Sequence, residues 1–450
     1  MNRMKIEEII NNTTGELLNG NLLDEFNGVC QDSRLAKEGE VFVAIKGDAF
    51  DGHDYIANAI KLGCKGVVLD NKDKLKGIDL EQCNIILVED STLALQQLAS
   101  YYLTKMNIKV IGVTGSTGKT STRDMIYAIC KQKFKTKKNR GNFNTVVGVP
   151  LTVLEMDEDT EVAVLEMGMD RFGEIDTLAK LTNPSIGVIT NIGVSHLEHL
   201  GSRDGIFKAK MEIVNYFNKD SALIVTESED YLNRHNIKGE YKLVVSGDCA
   251  NNNIRISDIK ETSDNSLNYK VHANGETVEI NLPVPGRHNA FNSGLAIAAA
   301  MELGITLEEC AKGLEQLEIT GKRLAIKKLN GIKIIDDTYN ASPDSMKSAL
   351  DTLKNTEGKR KIAILGDMFE LGADEVKFHQ EVGQFALNKA DVIFTIGNLA
   401  KNISEKNHYD TKEEFINDNK DFFVEGDVVL VKASRGMALE EIINKLFRED

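Results

Sequence analysis

Residues 112–120 read GVTGSTGKT, placing glycines at Gly112, Gly115 and Gly118 just before Lys119 and Thr120. Backbone N–H groups freed by such glycines can converge on an anion, and a helix starting near Gly118 adds the positive end of its dipole. Lys119 can then reach the outer phosphates of a nucleotide, while the Thr120 hydroxyl offers a magnesium ligand. The loop departs from the G-x-x-x-x-G-K-[ST] pattern, because Val113 stands where the first glycine is expected. An apolar strand, KVIGVT, precedes it and a helical pattern follows. Gly115, Ser116, Thr117, Gly118, Lys119, Thr120 and Ser121 therefore read as an ATP-phosphate site rather than an incidental turn. Guanine recognition is disfavoured, since the candidate N-K-x-D motifs at 71 and 218 end in Lys74 and Ser221.

Other segments offer chemistry of their own. VLEMGM sets Glu166 at the end of an apolar run, where a carboxylate commonly holds magnesium opposite a phosphate loop. A solvated strand end is the plainer alternative. His196 lies just past the run SIGVIT and forms an H-x-x-H pair with His199. The pair has neither the H-E-x-x-H form nor a third ligand, so zinc is not supported. Lys208 and Lys210, in FKAKMEI, read as the solvated face of a helix. Asn289 and Asn292, in GRHNAFN, suit helix capping.

These groups need a scaffold that ends strands in loops. A chain of 450 residues suggests roughly three domains of ordinary size. Apolar residues at 42% and charged residues at 27% are a globular composition, with no apolar run of the roughly 18 residues that a membrane helix needs. The amino-terminal MNRMKIEEIINNTTGELL lacks the apolar core of a secretory leader and reads as an amphipathic helix. A net charge of −15 argues against a nucleic-acid partner, which needs a basic face. Cysteines at 30, 64, 83, 130, 249 and 310 form no C-x-x-C pair, which favours reduced, mostly buried thiols in a cytosolic protein.

Strand and helix patterns alternate along most of the chain, implying an α/β protein with mostly parallel sheets. Residues 252–284 break the pattern, being polar and alternating like a small antiparallel excursion. Asn330-Gly331 marks a hairpin, and Ser342-Pro343 a helix start. The division expected is 1–106, 107–318 and 319–450, with the phosphate loop in the middle domain.

The ordered motifs TGSTGKTST, GNFNTVVGVP, LEMGM, TNIGVSHLEHLGS, KAKMEI, PGRHNAFNSGLAIA, DDTYNASPDSM, LGDMFELG and VKASRGM resemble those of the Mur ligases, over essentially the whole chain. In that family T-G-x-x-G-K-T is the usual phosphate loop, so Val113 is no defect. The resemblance implies a central P-loop-type sheet between an amino-terminal UDP-binding α/β domain and a carboxy-terminal Rossmann-like domain. It implies ATP-dependent amide ligation through an acyl phosphate, joining D-Ala-D-Ala to a UDP-N-acetylmuramoyl-tripeptide in peptidoglycan synthesis. Sister ligases, folylpolyglutamate synthase, or a non-catalytic ATP-binding protein of the same fold are the alternatives. GNFN, LEMGM and DDTYNASPDSM favour the dipeptide-adding activity over them.

By motif match, Thr120 and Glu166 would ligate one Mg²⁺ and His196 a second. Lys210 aligns with a lysine carbamylated in the family, and with Lys119, Glu166 and His196 it completes the catalytic set. Asn289 and Asn292 would contact adenine, while Arg323, Asp337, Tyr339 and Asn340 would reach the nucleotide from the last domain. Ser33, Arg34, Lys46, Gly47 and His53 resemble a UDP-sugar site, and Asn142, Asn144 and Thr145 a muramoyl-peptide path. Ser434 and Arg435 are candidates for holding the dipeptide. A monomeric cytoplasmic enzyme without membrane or nucleic-acid partners is expected. Lys119→Ala should abolish ligation with the fold retained, and normal turnover by that variant would refute the role given to Lys119.

Overall fold

A computed structural model describes residues 4–81, 83–228, 230–262, 266–318 and 325–447. The chain forms two compact units. One comprises residues 1–112, 134–169 and 174–185, and the other residues 113–133, 170–173 and 186–450.

The first unit is built on a five-stranded sheet in the order Glu16–Asn19, Asn84–Leu87, Gly66–Leu69, Glu40–Val43, Gly28–Cys30. All neighbours are parallel except the first pair. Gly66–Leu69 is buried throughout, as the unbroken apolar run GVVL requires of a strand covered on both faces. The helix Ser91–Met106 is capped by Asp90, whose carboxylate accepts from Leu93 N at 2.9 Å, and it ends at Asn107 in the left-handed region. The expected amino-terminal helix is shorter than its sequence pattern. It spans Ile6–Thr13, and Glu16–Asn19 is a strand. Thr14 turns left-handed at φ 51°, and a Cβ on Gly15 would lie 3.0 Å from Ile86 Cγ2, so packing on the neighbouring strand ends the helix.

The second unit holds two sheets. In one, Ile186–Ile189, Ala222–Thr226, Lys242–Gly247 and Ile254–Glu261 run parallel, followed by antiparallel Leu267–Ala273 and Glu276–Leu282. The polar, alternating stretch is thus the antiparallel excursion its pattern predicts. The other sheet has the order Ala325–Leu329, Ile332–Asp336, Asp427–Lys432, Arg360–Gly366, Val392–Ile396, His408–Tyr409, parallel after its first hairpin. Asn330 and Gly331 both have positive φ, 50° and 77°, as a two-residue hairpin turn demands. Ser342 caps the helix Pro343–Asn355 as its sequence indicates. No described helix is long and apolar enough to cross a membrane.

The helix Lys119–Cys130, which extends the phosphate loop, packs on Arg287–Glu302 and Leu307–Glu315. Close approach depends on Gly313, where a Cβ would lie 2.6 Å from Ile129 Cα. Backbone cannot yield there as a side chain could. Gly313→Val should therefore destabilise the protein by about 1–3 kcal/mol, read as a lower urea midpoint at constant slope.

Candidate functional site

The strand Lys109–Thr114 delivers the glycine loop, and the helix Lys119–Cys130 begins as the loop closes. Gly115 has φ 147° and Gly118 φ 77°. A Cβ at Gly115 would fall 1.8 Å from Thr190 Oγ1, and one at Gly118 2.9 Å from Asn292 Oδ1. Both positions exclude side chains sterically as well as conformationally. The segment after the strand Ile186–Ile189 braces the loop. Asn191 Oδ1 accepts from Ser116 N at 3.1 Å and Thr117 N at 2.9 Å, and Thr190 Oγ1 donates to Thr117 O at 2.5 Å. Gly193 N donates to Ser116 Oγ at 2.9 Å. Lys119 Nζ donates to Gly115 O at 2.8 Å, Thr120 is buried, and Ser121 is half-buried.

The helix Arg203–Met211 separates its two lysines. Lys208 is exposed and lies 2.7 Å from Asp204 Oδ2, whereas Lys210 is 1% exposed. The expectation that both occupy a solvated face is corrected for Lys210, because residues two apart point to different sides of a helix. Burial, reinforced by the positive charge of Lys119, holds the Lys210 amine well below its ordinary value. His196 sits at φ 62°. Its Nδ1 lies 2.8 Å from Glu370 Oε2 and 3.1 Å from Asp170 Oδ1. Burial opposes charge on the ring, but the Asp170 and Glu370 carboxylates beside Nδ1 outweigh it and raise the His196 pKa, although no hydrogen bond of good geometry joins them. The adjacent His196 ring in turn lowers both carboxyl groups. His199 is exposed and is not one of the three clustered side chains, though its charge also helps to lower both carboxyl groups.

Asn289 is buried, with Nδ2 donating to Pro285 O at 2.7 Å, and Asn292 Nδ2 donates to Asn289 Oδ1 at 3.2 Å. Asp337 pairs with buried Lys432 at 2.6 Å, and Lys432 Nζ also donates to Asn340 O at 2.7 Å. Tyr339 is half-buried beside them in sequence. Burial pushes His288 down to about 4, against the attraction of Asp337, so its ring is neutral. A cavity of about 130 Å³ is lined by Ser195, Asn340, Ser342, Glu370, Ser434 and Arg435. Ser434 Oγ accepts from Phe369 N at 2.9 Å, and Arg435 pairs with Glu440 at 2.8 Å. Arg323 lies outside the described residues.

In the first unit, Glu166 ends the strand Val162–Glu166 and is 2% exposed. Asn144 Nδ2 donates to its Oε1 at 2.9 Å, and Asn139 exchanges hydrogen bonds with its backbone. The plain reading of Glu166 as a solvated strand end therefore fails. Thr145 Oγ1 accepts from Gly148 N at 3.1 Å, while Asn142 is exposed. Ser33 is buried against Asn58 Nδ2 at 3.2 Å, and exposed Arg34 is clamped by Asp32. Lys46 bridges to Asp51, enclosing Gly47 in an exposed turn. His53 is buried with Nδ1 2.7 Å from Asp51 and Nε2 3.1 Å from Asp70, which fixes the base of that turn.

Sequence reasoning missed Asn139, Asp170, Thr190, Asn191, His288, Glu370 and Lys432. Each belongs to a segment already marked by a motif or directly beside one, yet its partner lies far away in sequence.

The chain matches the Mur ligase family catalytic domain over residues 25–110, the Mur ligase middle domain over 113–300, and the Mur ligase glutamate ligase domain over 322–435. It is 42% identical to the UDP-N-acetylmuramoyl-tripeptide–D-alanyl-D-alanine ligase of Bacillus subtilis, covering 93% of both chains. Identity to the Escherichia coli enzyme of the same name is 33%, covering 96% of both. Its structure resembles that of MurF from Acinetobacter baumannii, with TM-score 0.91, 31% identity and 100% of each chain covered. It also resembles the MurF ligase of Thermotoga maritima in complex with ADP, with TM-score 0.83, 30% identity, and 93% and 97% coverage.

The loop geometry has its own consequence. Asn191→Ala removes both side-chain bonds to the loop amides, at about 0.5–1.5 kcal/mol each, and leaves Ser116 N only its bond to Asn191 O at 3.2 Å. Nucleotide affinity should fall by roughly tenfold, and unchanged affinity by calorimetry would show that the loop holds its shape without Asn191.

Proposed function

The chain belongs to the Mur ligase family, and from that premise we propose that it joins D-alanyl-D-alanine to UDP-N-acetylmuramoyl-tripeptide using ATP. In this reading residues 1–106 bind the UDP-linked substrate, 107–318 hold ATP, and 319–450 bring the dipeptide. The tripeptide carboxylate attacks the γ-phosphorus, forming an acyl phosphate and releasing ADP. The dipeptide amine then adds to the acyl carbon, loses a proton, and expels inorganic phosphate.

The barrier is electrostatic, because a carboxylate must approach a polyanion. Lys119 and the positive end of the helix it opens provide fixed positive charge where phosphate charge shifts, so positioning carries most of the catalysis. The proposed magnesium ligands are Thr120, Glu166, His196 and carbamylated Lys210. Three of them, Thr120, Glu166 and the carbamate, would offer the oxygen donors that suit Mg²⁺, His196 would add one imidazole nitrogen, and Asn144 orients the Glu166 carboxylate. Bound magnesium would neutralise triphosphate charge. Addition of CO₂ requires an unprotonated amine, and burial, which lowers the Lys210 pKa, favours that form. Carbon–nitrogen bond formation with loss of one proton turns that side chain into an anion. Asn289, Asn292, Asp337, Tyr339 and Asn340 are proposed nucleotide contacts, with Arg323 assigned by motif alone. Ser33, Arg34, Lys46, Gly47, His53, Asn142, Asn144 and Thr145 are proposed for the UDP-linked substrate, and Ser434 and Arg435 for the dipeptide. The same reading makes the protein a monomeric, cytoplasmic enzyme of peptidoglycan synthesis.

The observation that carries the proposal is a phosphate loop braced by Asn191, in a chain similar end to end to ligases of this name. Phosphate release should require ATP, UDP-N-acetylmuramoyl-tripeptide and D-Ala-D-Ala together. Equal release with either acceptor substrate omitted would exclude the coupled ligation.

A further inference from the structure

The cavity bordered by Ser434 and Arg435 has one wall built from the segment after the strand Arg360–Gly366, through Phe369, Glu370 and Leu371. Glu370 has φ 65°, a region that L-amino acids avoid, so this segment keeps its shape only under outside constraint. Side chains supply the constraint. Met368 N donates to His379 Nε2 at 3.0 Å, and Phe369 N donates to Ser434 Oγ at 2.9 Å. Ser434 N in turn donates to Asp367 O at 3.0 Å, while Asp367 Oδ1 accepts from Leu399 N at 2.9 Å and Ala400 N at 2.7 Å. The segments that follow Arg360–Gly366, Val392–Ile396 and Asp427–Lys432, neighbouring parallel strands, are thereby tied together.

His379 lies beyond the LGDMFELG motif, on the helix Glu375–Ala386, and its side chain is fully buried. Its Nδ1 is 2.7 Å from Glu375 O. A carbonyl only accepts and a backbone amide only donates, so Nδ1 carries the proton and Nε2 presents its lone pair. A ring bonded in this way is neutral. Burial favours that state, outweighing the Glu375 carbonyl and the charges of Asp367 and Glu375, and lowers the His379 pKa. Ser434 can use its hydroxyl twice: the oxygen is taken by Phe369 N, and no described group accepts the hydrogen, which is left for a ligand in the cavity. The direction of that hydrogen depends on where Phe369 N sits, and the bond from Met368 N to His379 sets it one residue earlier. We infer that His379 is a positioning residue for the acceptor substrate: through Met368 and Phe369 it fixes the Ser434 hydroxyl, which donates its hydrogen to an acceptor oxygen of the dipeptide. The inference rests on the proposed reading of Ser434 as a dipeptide contact. Loss of His379 therefore weakens dipeptide binding and spares the nucleotide.

Steady-state ligation by the full chain tests this, with thermal melting to verify that each variant is folded. In His379→Asn the amide nitrogen still reaches the Glu375 carbonyl, but no acceptor reaches Met368 N. The KM for D-Ala-D-Ala should rise roughly tenfold, with kcat and the KM for ATP within about twofold of wild type. His379→Gln, whose amide oxygen extends to the place of Nε2, should restore the wild-type KM. Ser434→Ala should raise the same KM, and His379→Asn added to it should raise it little further, because the two residues act along one path. In protein labelled with ¹⁵N at histidine, the ring signal lost in His379→Gln should report a neutral imidazole protonated on Nδ1, whether or not His379→Asn folds. Additive rises in the double variant, equal rises in KM for ATP and D-Ala-D-Ala, or no rescue by His379→Gln would overturn the inference and leave His379 as general support of the fold. A charged or Nε2-protonated ring would overturn it as well. An unchanged KM in Ser434→Ala would remove the dipeptide role of Ser434 and the inference with it, whereas a wild type that ligates no D-Ala-D-Ala would defeat the proposed function itself.

Discussion

A buried lysine, Lys210, lies within electrostatic reach of half-buried Lys119, and both burial and that like charge oppose its protonation. Lys119 sits on the phosphate loop and donates to Gly115 O, while Lys210 is buried and feels the charge of Lys119. Removing an ammonium from water is expensive, and placing a like charge beside it makes it more so. Burial and the positive charge of Lys119 together depress the pKa of Lys210. In the proposed ligation that division would give a cation for phosphate at Lys119 and, at Lys210, the amine that would take up CO₂.

The division holds because rigid elements fix both lysines. Lys210 projects from a helix whose start is capped by Ser202, and Lys119 opens a helix packed against two others. In the second unit, the candidate site segments 190–196, 337–340, 367–370 and 433–435 all follow the carboxyl ends of parallel strands. Ligands gather at such ends in open α/β sheets because loops there can vary while strands stay fixed. Here the arrangement also lets a carboxylate at 370 meet an imidazole at 196.

Legibility in the sequence follows the range of the interactions. The phosphate loop, the Asn330-Gly331 turn and the Ser342 cap depend on neighbours within a few residues, and each is where the sequence places it. The length of the first helix depends on strand packing by Gly15, and its pattern overstates it. Lys208 and Lys210 look alike as letters, since burial is a property of the surrounding fold. The Glu370–His196 contact joins residues 174 apart in number, neither in a motif that names the other. Family resemblance supplied roles for His196 and Lys210 that residue types alone could not. Asn191 was in plain view in TNIG, but its task of bracing the loop emerges only when two strand ends lie side by side.

The unusual spacing of the phosphate loop has a structural cause. Val113 is fully buried, and the strand runs through Thr114 before the chain turns at Gly115. The position where the common pattern carries its first glycine is therefore still strand, and a glycine there would forfeit core packing without freeing any amide. With fewer loop residues available, the cradle depends on the four from Gly115 to Gly118 and on outside bracing. Thr190 and Asn191 provide it, fixing the Thr117 carbonyl and the amides of Ser116 and Thr117. A short loop held from a neighbouring strand end loses little entropy when it receives an anion, because its conformation is already set. Compactness and bracing are thus one solution: the core keeps Val113, and the amides keep their orientation.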